Sequence, residues 1–348
     1  MAKPPPLRLG ILGCANIARQ FCRDVAPSPL LRIEAVASRD AAKASAFAAE
    51  YGIPRAHGSY EALLRDAALD AIYIPLPNSL HAAWAIDAVA HGKHVLCEKP
   101  LATSLSEARA MFDAARRHGR VLLEAYPWWF QPQTAAMMEL LRSGAIGSVR
   151  AVQASFGFSL RDPQGTNIRS LPGLGGGALL DAGSYCLSLI RLVMGRPAQR
   201  VQAVSRPAPT GVDIGTTATL HFDDGAVAQL HCSMDLALHR HAAVIGSDGF
   251  LTTDFLNHTA APDETHPWGY QPSQLRLRRG SGNGPVQPVP SPVGSGFRFA
   301  AEAFAGLVAH ADLAAADEAA RASLDIAAML DAIAASARSG AVEAVARA

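Results

Sequence analysis

With 348 residues, 49% of them hydrophobic, the chain has apolar material for two cores. Its 31 Lys and Arg against 30 Asp and Glu leave a formal charge of +1, which gives no polyanion, nucleic acid included, a field to follow. The five cysteines are scattered and never in Cys-x-x-Cys spacing, which points to a reducing cytoplasm and away from a zinc knuckle. No apolar core of a secretory signal precedes the first strand and no unbroken apolar run reaches membrane-spanning length, so neither export nor a membrane is expected.

The first 125 residues alternate strand and helix patterns. "LRLGIL" (7–12) is an apolar strand, followed by a helix over 16–25. "RIEAVAS" (32–38) is the next strand, and "DAAKASAFAAEYG" is helical up to its glycine. "LDAIYIPLP" (69–77) is a buried strand ending in prolines. "SLHAAWAIDAVAHGK" is helical, with Ser79 placed as N-cap and Gly92 at the C-terminal end. "HVLC" is a strand, "SLSEARAMFDAARRHG" a helix with Ser104 and Glu107 in capping-box spacing, and "VLLEAY" a strand. This alternation predicts βαβ crossovers and a parallel, doubly wound sheet.

The style changes after residue 127. "FQPQTAAMMELLRSGAIG" is helical, and then strand patterns dominate at 149–158, 201–205, 216–222, 226–234, 241–255 and 274–279. One helix, near 176–194, interrupts them. Short turns such as "DDG" and "SDG" imply an open, mostly antiparallel sheet. The Gly/Pro-rich stretch 280–296 reads as loop, and two Ala-rich helices follow. The predicted fold is therefore α/β: a Rossmann-type domain over 1–127, then an α+β domain over 128–348 for substrate and oligomerisation, with the last helices free to pack back on the first domain.

The turn after the first strand, "GILGCANIA", occupies the place of the dinucleotide fingerprint Gly-x-Gly-x-x-Gly but reads Gly13-x-Ala15-x-x-Ala18. The first glycine serves the tight turn, and alanine is the least intrusive replacement at the other two positions. Gly13, Ala15, Asn16 and Ile17 are thus candidates for holding a pyrophosphate. The second strand ends in "ASRD" rather than in the acid that a ribose 2′-hydroxyl would favour. Ser38, Arg39 and Lys43 suit a 2′-phosphate, and the cofactor expected is NADP in preference to NAD.

Two clusters remain. "VLCEKPLA" drives a buried strand into Glu98, Lys99 and Pro100. "GGGALLDAGSYC" spaces Asp181 and Tyr185 four apart, on one face of a helix. Taken alone, these are also compatible with a surface ion pair, a helix cap and a core aromatic. No histidine pair has a spacing suited to a metal.

Together with "IPLPNSLHAAWAIDAVAHGKHVLCEKPLA" and the terminal "SLDIAAMLDAIAASARSG", these segments resemble the family of glucose–fructose oxidoreductase, inositol dehydrogenase and rhizopine-catabolism proteins, Gfo/Idh/MocA. "ASRD", "NIRSLPGLGGGALLDAGSYC" and Tyr185 resemble its branch of NADP-dependent D-xylose and dimeric dihydrodiol dehydrogenases. The resemblance implies Lys99, Tyr185 and Asp181 as catalytic residues, with Glu98 at the nicotinamide ribose and Pro100 aiming Lys99 through a cis bond. It implies cofactor contacts from Pro75, Leu76, Pro77, Asn78 and His81, and substrate contacts from Lys99, Arg169, Asp181 and Tyr185. "EAYPWWFQP" departs from the family's pattern; its tryptophans, Trp128 first, are compatible with stacking on the substrate's sugar face or with filling the domain junction. The expected activity is hydride transfer between NADP and a sugar hydroxyl, that of C1 of an aldose such as D-xylose or D-glucose. Reduction of a ketosugar, a transhydrogenase that retains NADP, and a non-catalytic NADP-binding regulator are the alternatives. A homodimer or homotetramer through the second-domain sheet is also implied.

Overall fold

The computed structural model describes residues 5–259 and 270–347. The chain falls into two compact units: Met1–Ala102, Ser106–Pro127 and Phe297–Arg321 form one, and Thr103–Leu105, Trp128–Gly296 and Ala322–Ala348 the other. Neither is contiguous in sequence, because the chain re-enters the first unit after residue 296.

In the first unit β1 (Leu7–Leu12), α1 (Asn16–Val25), β2 (Leu31–Ala37), α2 (Ala41–Tyr51), β3 (Arg55–His57), α3 (Tyr60–Leu64), β4 (Ala71–Ile74), α4 (His81–Ala90), β5 (His94–Glu98), α5 (Leu105–Arg117) and β6 (Leu122–Ala125) succeed one another. The six strands order as β3-β2-β1-β4-β5-β6, every pair parallel. A parallel sheet with helices on both faces buries each strand on both sides, and β4 is buried at all its positions. The order reverses between β1 and β4, the switch point outside which such sheets open a ligand crevice.

Local chemistry sets the helix ends. Asp40 caps α2, accepting from the amides of Ala42 and Lys43, and Gly52 closes it at φ 64°. Ser79 does not cap its helix: the chain makes a 3₁₀ turn over Asn78–Leu80, and α4 starts at His81 without a side-chain cap. The tight turn satisfies backbone by itself, Leu80 N donating to Pro77 O over 2.9 Å, and carries His81 into the interior.

The second unit begins with α6 (Pro132–Arg142) and β7 (Val149–Ser159) and passes through a π turn over Leu179–Gly183 into α7 (Ser184–Met194). There follow β8 (Arg200–Pro207), β9 (Asp213–His221), β10 (Val227–Ser233), β11 (Asp235–Gly246), β12 (Gly249–Thr253), β13 (His258–Thr259), β14 (Leu275–Arg279), β15 (Gln287–Pro288) and β16 (Gly294–Ser295). The helices α8 (Gly296–His310) and α9 (Leu313–Ser339) and the short β17 (Glu343–Ala344) end the described chain. Nine strands order as β15-β14-β12-β11-β7-β10-β9-β8-β17, and β7 with β10 is the parallel pair in an otherwise antiparallel ladder. Strand β10 alternates buried Ala228, Leu230 and Cys232 with outward Val227, Gln229 and His231, the period of a sheet covered on one face.

Two expectations change. The stretch 280–296 is not wholly loop: β15 pairs with β14 and β16 with β13, segments of two residues that alternation cannot reveal. The stretch 172–194 is apolar and long enough to cross a membrane by length and composition, but 78% of its most apolar window is buried, as in a core helix. Inside it, Arg191 Nε donates to Asp325 Oδ2 over 2.6 Å, a buried ion pair that ties α7 to α9.

Candidate active site

Each unit offers one half of the expected chemistry. In the first, β1 delivers Gly13 at φ 122°, a conformation that favours glycine. A Cβ there would come within 3.0 Å of Leu76 Cδ2 and 3.6 Å of the Tyr60 hydroxyl, so the backbone passes closely between the two. Ala15, with no side-chain capping bond, stands at the N-terminus of α1, and Asn16 and Ile17 form its first turn. No side chain caps the amides of that turn, a kind of helix start that suits an anion, and Ala18 packs fully buried beneath it.

At the end of β2, Ser38 is buried and its hydroxyl accepts from Asp40 N over 3.2 Å, while Arg39 and Lys43 are exposed. Asp40, next to Arg39, is engaged by its own helix, accepting from the amides of Ala42 and Lys43. Arg39 stands close to the Tyr60 phenol, whose proton is held above its ordinary range chiefly by burial, with Arg39 opposing. Tyr60, unmarked in the sequence, thus connects the glycine turn to Arg39; an aromatic opening a short helix carries no signal of such a role.

The turn after β5 is pinned on all sides. Glu98, buried, accepts from the Tyr73 hydroxyl over 2.6 Å, and burial together with Glu98 drives the Tyr73 phenol well above its usual range. Tyr73 stacks in turn on Phe21, centroids 3.9 Å apart. The Lys99–Pro100 bond is cis. The Leu101 amide donates to Glu124 Oε1 over 2.7 Å. Lys99 stands half-buried between these anchors.

His81, expected at the cofactor, has both ring nitrogens turned to main chain. Its ring is fully buried, with Nδ1 2.9 Å from Pro100 O and Nε2 2.8 Å from Leu76 O. Both nitrogens are used on main chain, and the ring ties the loop after β4 to the turn after β5. Burial lowers its proton affinity and Lys99 lowers it further, against the pull of the two carbonyls. Pro75 is buried, and Leu76, Pro77 and Asn78 are half-buried in the loop so held.

In the second unit, Gly176 and Gly177 let the chain pass where no other residue fits. A Cβ on Gly176 would stand 2.5 Å from Arg169 O, and Gly177, at φ 117°, would drive one to 2.2 Å from Asp213 Oδ1. Asp213 uses its other oxygen to accept from Leu179 N over 2.8 Å and so starts the helical stretch. Asp181 lies in the π turn rather than in an α-helix, and its carboxylate accepts from Arg169 Nε over 2.6 Å. Arg169 holds its proton more tightly for that, chiefly through Asp181 with a smaller contribution from Tyr185, so the three sit within electrostatic reach. The Tyr185 hydroxyl accepts from Asn257 Nδ2 over 2.9 Å, and the Arg240 guanidinium lies 4.1 Å over its ring.

Arg240 and Asn257 carried no sequence signal: the first reads as one polar residue in an alternating strand, the second as a loop residue. Trp128 does not present a stacking face for a sugar. It is 1% exposed, donates from Nε1 to Ser188 Oγ over 2.9 Å and packs edge-on against Phe255, which makes it a core residue. Among the described residues no group of three His, Cys, Asp or Glu side chains is placed to hold a metal.

The model of the oxidoreductase family with an NAD-binding Rossmann fold matches residues 7–126, and that of the GFO/IDH/MocA C-terminal domain matches residues 134–252. A Haloferax volcanii protein named D-xylose 1-dehydrogenase (NADP(+)) 2 is 40% identical over 263 residues, 75% of this chain and 80% of its own. The dTDP-3,4-didehydro-2,6-dideoxy-alpha-D-glucose 3-reductase of Streptomyces violaceoruber is 39% identical over 327 residues, covering 93% and 92%. Among solved structures, the 3-ketoreductase KijD10 of Actinomadura kijaniata, in complex with NADP and TDP-benzene, superposes with a TM-score of 0.82 at 33% identity, over 95% of this chain and 98% of its own. That enzyme has also been solved with one lysine replaced by alanine and with one tyrosine replaced by phenylalanine.

Proposed function

Because the chain belongs to the Gfo/Idh/MocA family of oxidoreductases, we propose that it is an NADP-dependent oxidoreductase of a sugar hydroxyl, with the anomeric hydroxyl of an aldose as its substrate group. The observation that carries this reading is the pinned turn: Glu98, Pro100 and Leu101 are each held from another element, and Lys99 is presented at the carboxyl edge of β5, two strands from the glycine turn of β1. A surface turn with an accidental ion pair would have no need of three buried anchors.

The chain's own groups fit the cofactor. Gly13 leaves backbone open where a Cβ would fill the space, the uncapped start of α1 offers amides to a pyrophosphate, and Arg39 with Lys43 suits a 2′-phosphate. When bound, NADP supplies or accepts the hydride at its nicotinamide. Glu98 is assigned to the nicotinamide ribose, with Leu76, Pro77 and Asn78 lining the ring.

Lys99 and Tyr185 act on one hydroxyl. In oxidation the pair takes the proton from the sugar oxygen as the carbon-bound hydride leaves; in reduction it returns the proton. The Lys99 cation lowers the cost of negative charge on that oxygen. Asp181, oriented by Arg169, holds the sugar. The sheet of the second unit is assigned to pairing with a second copy of the chain, which sedimentation would test.

The test is growth of reduced-nicotinamide absorbance on mixing NADP+ with a panel of aldoses. Turnover by the wild-type chain, lost in Lys99→Ala while NADP still binds, supports the reading. Silence across the panel with intact NADP binding favours a regulator. A second reading, reduction of a nucleotide-linked ketosugar, rests on the Streptomyces violaceoruber relative, whose likeness spans 93% of this chain. Oxidation of NADPH by such a ketosugar, with no aldose active, would favour it.

A further inference from the structure

Tyr73 carries a hydroxyl into a place where the core has no need of one. It lies in β4, a strand buried at all its positions, and is itself fully buried. Parallel pairing sets it between β1 and β5, with Ile11 as its partner on one side and Leu96 on the other. Gly13 follows Ile11 by two residues, and Glu98 follows Leu96 by two. Tyr73 therefore sits one pleat below both, at the switch point of the sheet. Leu96 and Glu98 share a face of β5, which makes Glu98 the diagonal neighbour of Tyr73. The phenol spans that step, and its hydroxyl donates to Glu98 Oε1 over 2.6 Å. Phe21 of α1 stacks on the ring, centroids 3.9 Å apart and planes inclined by 16°.

A buried hydroxyl and a buried carboxylate each cost free energy, and an apolar pair of the same shape would serve a core as well. Phenylalanine at position 73 would keep the stack on Phe21. The hydroxyl is thus explained by Glu98, and Glu98 by a ligand at the carboxyl edge of the sheet. The neighbouring thiols offer no competing anion: burial pushes Cys22 up to about 12 and Cys97 well above its usual range, so both are neutral. Burial and the charge of Glu98 likewise keep the Tyr73 phenol protonated, and so a donor.

We infer that Tyr73 is a positioning residue for NADP: its hydroxyl holds the Glu98 carboxylate in the orientation that accepts from the nicotinamide ribose, and its stack on Phe21 ties that carboxylate to α1, the helix whose first turn is assigned to the pyrophosphate. This rests on the NADP reading and on the place of Glu98 within it. Two parts of one extended cofactor are then kept in register by a buried chain of three side chains, Phe21, Tyr73 and Glu98, drawn from three elements of one unit. Tyr73 acts through Glu98, so its loss is felt at the nicotinamide end and spares the adenosine end.

The test uses the full-length chain and measures binding apart from turnover. NADP+ is titrated by calorimetry beside adenosine 2′,5′-bisphosphate, which carries the 2′-phosphate end without the nicotinamide riboside. The wild type, Tyr73→Phe, Glu98→Ala, the double variant and Phe21→Leu are compared, with melting curves to confirm folding. Tyr73→Phe is expected to raise Kd for NADP+ about tenfold and to leave that for the bisphosphate within about twofold. Glu98→Ala should show the same split. The double variant is expected within about twofold of Glu98→Ala, because without the carboxylate the hydroxyl has nothing to position. Phe21→Leu keeps the hydroxyl but loosens the ring, and is expected to raise Kd for NADP+ about threefold. Should Tyr73→Phe not fold, Phe21→Leu decides, and an unchanged Kd for NADP+ overturns the inference. A folded Tyr73→Phe that binds NADP+ as the wild type does, that loses both ligands equally, or whose loss adds in full to that of Glu98→Ala overturns it as well, while leaving the NADP reading intact. A wild-type chain that binds neither ligand overturns that reading, and this inference with it.

Discussion

The turn after β5 and the surroundings of Tyr185 anchor the two side chains proposed for proton transfer by opposite means. In the first unit the anchors act on the turn's main chain and neighbouring carboxylate: His81 on a carbonyl, Glu124 on an amide, Tyr73 on Glu98. In the second unit the anchors are side chain on side chain: Asn257 on the phenol, Arg240 over its ring, Arg169 on Asp181. A turn held through its backbone fixes where Lys99 starts while leaving its flexible stem to adjust. A phenol held at both face and oxygen has no such freedom.

Removing each group should separate the two means. Lys99→Ala is expected to lower turnover by about two to four orders of magnitude with NADP affinity retained, read by steady-state rates and by cofactor titration. Replacement of His81 acts on the backbone means alone. His81→Leu leaves two buried carbonyls without their partner and should cost about 1–3 kcal/mol, read as a lower denaturation midpoint. It should also slow turnover by loosening the turn, and a variant that melts lower with an unchanged kcat would show that the turn holds without it.

The cofactor end offers a smaller effect. Arg39→Ala should raise KM for NADP about tenfold and leave KM for NAD unchanged, since only the 2′-phosphate distinguishes them. Equal losses for both would place Arg39 on the adenine or on Tyr60 instead.

A further expected effect is one of pH. His94 Nδ1 accepts from Val121 N over 2.9 Å, and burial with nearby Arg120 lowers its proton affinity to about 4. The folded value lies below the unfolded one of 6.5, so the unfolded chain binds more protons between them. Stability from this group is complete above about pH 6.5 and is lost as pH falls toward 4, amounting to roughly 2 kcal/mol after allowance for partial exposure. Replacement of His94 by Gln should flatten the acid side of a plot of stability against pH. An unchanged slope would assign the acid sensitivity to other groups.

Legibility in the sequence follows the same division. The βαβ alternation, the glycine turn and the Glu98-Lys99-Pro100 segment were readable because neighbours in sequence are neighbours in the structure. Asp181 and Tyr185 were readable from a short segment, although the π turn that carries Asp181 was not, since its apolar spacing differs by a single residue from that of an α-helix. Arg240 and Asn257 come from strand and loop positions 55 or more residues past Tyr185, and nothing local distinguishes them from surface polar residues. Trp128 misled for a related reason. An aromatic pair beside a domain boundary suits a sugar face and a core equally well in sequence, and only the Ser188 contact and its burial decide.

The central claim, that Lys99 and Tyr185 serve one proton on one hydroxyl, is tested most directly by kcat for Lys99→Ala, Tyr185→Phe and the double variant on the active sugar. Shared service predicts that the double variant is slower than the slower single variant by less than about threefold. Losses that multiply in full would mean that the two groups act independently, and the shared mechanism would be wrong.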